Sequence, residues 1–301
     1  MPGPADSRLT LLHRFGQSPW FDYISRELVA RGGLKRMVDR DGLGGVTSNP
    51  SIFEKAIGTG VGYDEQILEL ARDGLDAAEI FDRLAVEDVR AACSVLAPVY
   101  LRSGGEDGFV SIEVSPAYAY DTEKTIAEAQ RLFAAVDRPN VMITIPGARE
   151  GVPAILETLR RSLNINITLL FSMSQYEAVA DAYLAALEYR LQHDLTIRAT
   201  SSVASFFVSR VDTLVDRLLD EKIAAADVAE RRRLEGLKGT AAVANAKVVY
   251  ERFRSYLGGR DWQLIAASGA KVQRLLWAST GAKDPASPTC CTWTSSSAST
   301  P

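Results

Sequence analysis

The residues able to do chemistry in this chain are carboxylates, amides and hydroxyls that stand inside or just after short apolar runs. Glu113 interrupts the run FVSIEV. A carboxylate there has to be paired, hydrated or used, because burying it alone is expensive. The plain alternative is an acid tied to a basic or hydroxyl partner. Asn166 and Thr168 alternate along INIT, so both project from one side of a strand. They suit a ligand site, or equally a hydrogen-bonded pair filling an interior layer. Asn49 precedes Pro50 in TSNPS, which also reads as a simple turn with Ser51 capping the next helix. Asp22, between aromatics in PWFDYIS, is a lone acid with little signal of its own. Ser205 and Arg210 flank FFVS, and an arginine there is either a phosphate ligand or a helix-surface cation. His13 and His193 are the only histidines, so a histidine-rich metal site or a histidine-centred triad is not expected, and no metal or cofactor is called for.

These residues need elements to position them. Strand-like runs occupy Gly45–Ser48, Phe109–Val114, Val141–Ile145, Ile165–Phe171, Val203–Ser209 and Leu275–Ser279, with Phe21–Ile24 as a further short one. Most are rich in β-branched or aromatic residues, as strands buried on both faces are. Helical patterns fill the intervals, at Ala77–Leu101, Asp121–Ala135, Gly151–Arg161 and Ser174–Gln192. The last opens with Ser174 and carries Glu177 three positions on, which predicts a capping box. One long helical stretch is expected over Ala224–Tyr256. Alternation of strand and helix predicts an α/β fold with a parallel sheet. A doubly wound sheet and a closed barrel both fit. No GxGxxG follows the first strand, and polar residues recur at strand ends, where barrel enzymes collect their chemistry; both features favour the barrel.

With 301 residues, 47% hydrophobic and 24% charged, the chain can bury a substantial core. A net charge of -4 argues against a broad nucleic-acid-binding surface. No apolar h-region opens the chain and no stretch reaches 18 apolar residues, so neither a signal peptide nor a membrane span is expected. Cys93, Cys290 and Cys291 form no CxxC pair or disulfide framework, and a cytoplasmic protein is the expectation.

Together, SPWFDYI, GGVTSNPSIFEKAI, VSIEVSPAYAYDTEKTIAEAQRL, NINITLLFS, SFFVSR and LLWASTG resemble the transaldolase family, in family order. The resemblance implies a (β/α)8 TIM-type barrel of the class I aldolase kind. It also implies transfer of a dihydroxyacetone unit from a ketose phosphate to an aldose phosphate, a step of the pentose phosphate pathway. In that chemistry a strand lysine forms a Schiff base with the ketone. By position, Glu113 is similar to the proton-relay glutamate, Asp22 to its aspartate partner and Thr168 to the residue holding the catalytic water. Asn49 and Asn166 match substrate-hydroxyl ligands, and Ser205, Arg210 and Lys283 match phosphate ligands. Sugar phosphates are the implied partners, with no nucleic acid and no membrane; oligomeric state is left open.

Two departures stand out. The family's lysine belongs on the strand that here reads NVMITIPG, which puts Thr144 at its position, and threonine cannot form an iminium. Natural divergence, an engineered change and a single-base error all explain it. Ser162 and Leu163 replace a glycine-containing turn nearby. After Asp284 the text becomes ASPTCCTWTSSSASTP. Relatives continue with a stretch similar to DVLYVDELIG, and a one-base shift of GC-rich codons for it yields TCCTWTSSS. The expectation is therefore a barrel domain over 1–285 lacking its last βα portion, a disordered tail over 286–301, and marginal stability from two open sheet edges. A sugar-phosphate-binding homologue without catalysis and a degraded gene product are the alternatives to an active enzyme.

Overall fold

A computed structural model describes residues 7–58 and 62–281. Short apolar segments become strands β1 (Trp20–Asp22), β2 (Gly45–Thr47), β3 (Phe109–Glu113), β4 (Val141–Pro146), β5 (Ile165–Leu170), β6 (Ser202–Phe207) and β7 (Arg274–Ala278). They form one seven-stranded sheet in the order β1 to β7, with every pair parallel. The helices are α1 (Arg26–Ala30), α2 (Gly33–Asp41), α3 (Pro50–Gly58), α4 (Asp64–Arg72), α5 (Ala77–Arg102) and α6 (Thr122–Val136), then α7 (Gly151–Arg160), α8 (Met173–Gln192), α9 (Ser209–Ala225), α10 (Val228–Glu235), α11 (Ala241–Gly258) and α12 (Arg260–Ala267). This is the TIM-type arrangement with seven of its strands; Lys283 and the tail over 286–301 lie outside the described residues.

Period-two alternation sorts the strand side chains into two environments. One set, including Val110, Ile112, Ile143, Ile145, Ile165, Ile167, Ala204 and Phe206, joins the main core with residues such as Leu96, Leu132, Ile155 and Val179 from the helices. The alternate set points to the inside of the curl. There Phe109, Met142 and Val203 pack together, with Trp20 and Leu276 against them, near the N-terminal ends of the strands.

The sheet curls far enough to bring its two edges together at that end. Asp107, just before β3, accepts hydrogen bonds from Ser18 and from Trp20 Nε1, the latter at 3.2 Å. The same carboxylate lies 3.2 Å from a guanidinium nitrogen of Arg274 on β7, and that guanidinium sits 6.0 Å from the centre of the Trp20 ring. Two buried asparagines tie the strand starts. Asn140 Nδ2 donates to the carbonyls of Cys93 and Gly108, and Asn164 Nδ2 donates to those of Pro139 and Val141.

Three local expectations are corrected. The capping box of α8 is Ser172 with Gln175, because Ser172 is the last extended residue after β5 and its hydroxyl accepts from the Gln175 amide. Glu177 instead pairs with Arg252 of α11 at 2.7 Å. The long helix over Ala224–Tyr256 is three helices. Extended Ala226 ends α9, Asp227 caps α10 through the Ala229 and Glu230 amides, and Gly239 turns with φ 69° before α11. Finally, Asn49 rather than Ser51 caps the start of α3, its Oδ1 accepting from Ile52 N at 3.0 Å.

Replacing Asp107 with alanine leaves Trp20, Ser18 and Arg274 without their common acceptor. The expected loss is about 1–3 kcal/mol of unfolding free energy, read from the urea midpoint at constant slope.

Candidate active site

The polar strand residues converge at and just below the C-terminal mouth of the curl. Asp22 ends β1, Glu113 ends β3, and Asn49 follows β2 by two residues. In the ladder Glu113 is level with Thr144, and Thr144 is level with Asn166. These three therefore stand side by side on β3, β4 and β5, on the interior face.

Below Glu113 a hydrogen-bonded row crosses the interior. Ser205 Oγ donates to Asn166 Oδ1 at 2.6 Å, and Asn166 Nδ2 donates to Ser111 Oγ at 3.0 Å. All three side chains are buried. The arrangement fixes the Asn166 amide with its oxygen toward β6 and its nitrogen toward β3. Ser111 belongs to this row although its small hydroxyl drew no notice in the sequence. The available signal was its place two residues before Glu113 on the same strand, and therefore on the same face.

Thr144 is the exception in the row. It is 4% exposed, yet its hydroxyl has no hydrogen-bond partner. A buried, unmatched hydroxyl costs about 1–3 kcal/mol, and such groups call for a reason.

Glu113 is partly buried and forms no ion pair among the described residues. Burial, assisted by the Asp22 carboxylate, pushes it up to about 7. Asp22 itself is exposed and accepts a hydrogen bond from Thr47 Oγ1 at 2.7 Å. Thr168 is half-buried at the mouth, where β5 bulges: the register shifts between Ile167 and Leu170, and Leu169 adopts φ 60°. A bulky residue in that region is strained, and bulges commonly re-aim side chains beside sites. Arg210, the second residue of α9, is exposed, with its guanidinium 4.8 Å from the centre of the Phe207 ring.

Asn49 and Glu113 also line a crevice of about 40 Å³ against Phe53, Phe81 and Leu132. A larger cavity of about 290 Å³ lies at the other end of the strands, among Phe109, Met142, Val203, Phe253 and Lys271, away from the carboxylates. Among the described residues no three His, Cys, Asp or Glu side chains cluster as metal ligands, and no helix is long and apolar enough to cross a membrane.

The same stretch that builds this mouth carries a family signature. The profile of the Transaldolase/Fructose-6-phosphate aldolase family matches residues 19–290. The chain belongs to that family. Transaldolase 2 of Nostoc sp. is similar at 45% identity over 283 residues, which is 93% of this chain and 74% of that protein. Transaldolase 1 of Streptomyces avermitilis is 48% identical over 271 residues, covering 90% of this chain and 70% of the relative. The transaldolase of Trichodesmium erythraeum is 43% identical over 281 residues, again 93% and 74% of the two chains. The residues matched by the family profile span all seven strands of this transaldolase-family chain, and Asp22, Glu113, Thr144, Asn166 and Ser205 lie among them.

The raised Glu113 carboxyl has a signed consequence. A carboxyl held above its ordinary value near 4.5 carries no folding penalty below that pH and the full penalty above about 7. Glu113→Gln should therefore melt higher than the parent at pH 8, with the gap closing as pH falls through 7 toward 4.5. A gap that is constant with pH would contradict the assignment.

Proposed function

We propose that this chain carries the substrate-binding and proton-transfer parts of a transaldolase site for ketose phosphates, but lacks the amine that makes the reaction covalent. The observation that carries the reading is the buried, unpartnered hydroxyl of Thr144, set between Glu113 and Asn166. A lysine there would project an amine into the polar row, within the reach of a ketone bound above it.

In the family reaction the amine adds to the ketone, a hydroxyl leaves as water, and the resulting iminium draws the electron pair of the breaking carbon–carbon bond. Each step needs a proton given or taken. A carboxyl that titrates near 7 is part acid and part base at neutral pH, which suits Glu113 to that duty. The reading makes Asp22, on β1 two strands away, its partner, and gives Thr168 the holding of a water between carboxyl and substrate. Asn49 and Asn166 are the ligands for sugar hydroxyls. The reading gives the phosphate to Arg210 and to Ser205, whose hydroxyl would have to turn away from Asn166 in the buried row to donate to it. The α9 amino terminus favours an anion beside the guanidinium, and a guanidinium fork matches phosphate oxygens. Lys283 is the third phosphate ligand proposed.

Threonine at 144 removes the first step and leaves the rest of the site in place. The protein is then a sugar-phosphate binder of transaldolase ancestry. Its test is borohydride reduction in the presence of fructose 6-phosphate, followed by intact mass measurement. The parent chain should show no adduct, and Thr144→Lys should gain one reduced three-carbon or six-carbon unit. An adduct on the parent would show that another lysine supplies the amine and would sink the reading. Binding is checked separately: fructose 6-phosphate at saturating concentration should raise the melting temperature of the parent, and Arg210→Ala should remove most of that rise.

A further inference from the structure

β1 is a poor platform for a residue that must be held in place. It has three residues, pairs with β2 alone, and forms one edge of the sheet. Asp22 is its last residue and, among the described residues, has one side-chain hydrogen bond, from Thr47. Short edge segments of this kind open easily unless something else ties them down.

The tie lies four residues downstream. Arg26 opens α1, and its backbone N–H donates to the Tyr63 hydroxyl at 2.9 Å. That hydroxyl donates to Asp88 Oδ2 at 2.6 Å, while Arg26 Nε donates to Asp88 Oδ1 at 3.0 Å. The guanidinium also donates to the Gly62 carbonyl and to Gln66 Oε1, and stacks 4.6 Å from the centre of the Tyr63 ring. Tyr63 is 1% exposed and Asp88 3%. Asp88 projects from α5, the 26-residue helix whose buried face forms part of the main core. Between Asp22 and this network only three residues intervene, and two are fixed: Ile24 is fully buried, and Ser25 caps α1 through the Leu28 amide.

We propose that Arg26, Tyr63 and Asp88 are positioning residues that hold Asp22 at its place opposite Glu113 by clamping the β1–α1 turn to α5. Burying a carboxylate and a guanidinium together yields little net stability, because desolvation offsets their attraction. What such a network supplies is direction. It fixes a guanidinium by contacts to Asp88, Gly62, Gln66 and the Tyr63 ring, next to a strand that has only one neighbour. The inference rests on the reading of Asp22 and Glu113 as a working carboxylate pair. Of the other acids at the Glu113 crevice, Asp82 is held in a two-bond pair by Arg131, so Asp22 is the like charge that a loosened turn would move.

The experiment is a titration of the Glu113 carboxyl by carbon NMR, assigned with Glu113→Gln, in the parent and in Asp22→Asn, Tyr63→Phe and Asp88→Asn. Each variant is also melted. Asp22→Asn should lower the midpoint from near 7 by removing the like charge. Tyr63→Phe and Asp88→Asn should each lower it by a large part of the same amount, and neither should lower it further when combined with Asp22→Asn. A drop in melting temperature with the Glu113 midpoint unchanged would mean that the network serves the fold alone, and would overturn the proposal. No effect of Asp22→Asn itself would overturn the carboxylate pair on which it rests. Should Asp88→Asn fail to fold, Tyr63→Phe, which removes a single hydroxyl, decides.

Discussion

Polar side chains inside a curled sheet cannot reach water, so each must find its partner on a neighbouring strand. That requirement organises the centre of this molecule. Ser205, Asn166 and Ser111 meet it by forming a donor-to-acceptor chain from β6 to β5 to β3. The chain fixes the register of three strands as effectively as the apolar face does, since a slip of one residue would turn every member outward. It also sets the floor of the mouth. Thr144 breaks the rule from the middle of the row, and Glu113 above it pays with a raised affinity for its proton. The proposed chemistry grows out of the lone Thr144 hydroxyl and the raised Glu113 carboxyl.

The rest of the fold serves to hold that interior still from two sides. At the strand starts, Asn140, Asn164 and Asp107 stitch loops and edges together through side-chain hydrogen bonds. Asp107 matters most, because β1 and β7 are not paired with each other and meet through its carboxylate. At the strand ends, the work passes to helix caps and turns. Positive φ occurs at both ends of β5, at Ser162 before its start (66°) and at Leu169 in the bulge near its end (60°). Ser162 stands where a glycine-containing turn was expected, and its hydroxyl is within 3.0 Å of that of Thr200, a contact a glycine could not make.

Much of the architecture was legible beforehand because strands buried on both faces leave a plain mark. The runs at β3, β4, β5 and β6 were read within a residue or two, since Val, Ile and Phe there face either helices or the inner cluster. The helix over Ala224–Tyr256 was misread because its composition is uniformly helical, while its breaks depend on single residues, Asp227 and Gly239. The cap of α8 was misplaced by two residues for a similar reason. Ser172 and Ser174 are equivalent in composition, and only the point where the chain leaves its extended conformation chooses between them.

The sequence by itself determined the parallel strand–helix alternation, the family, and the residue types available at the strand ends, because these follow from periodicity and motif order along the chain. It also determined that residue 144 has no amine. The tertiary structure alone decided which of those residues meet. It made Ser111 a neighbour of Asn166, left the Thr144 hydroxyl alone, and put the charge of Asp22 close enough to Glu113 to be felt. It also joined Arg26 to Asp88 from opposite ends of a long helical excursion. Burial and through-space charge depend on what surrounds a group in three dimensions, and the local order of residues does not contain that information.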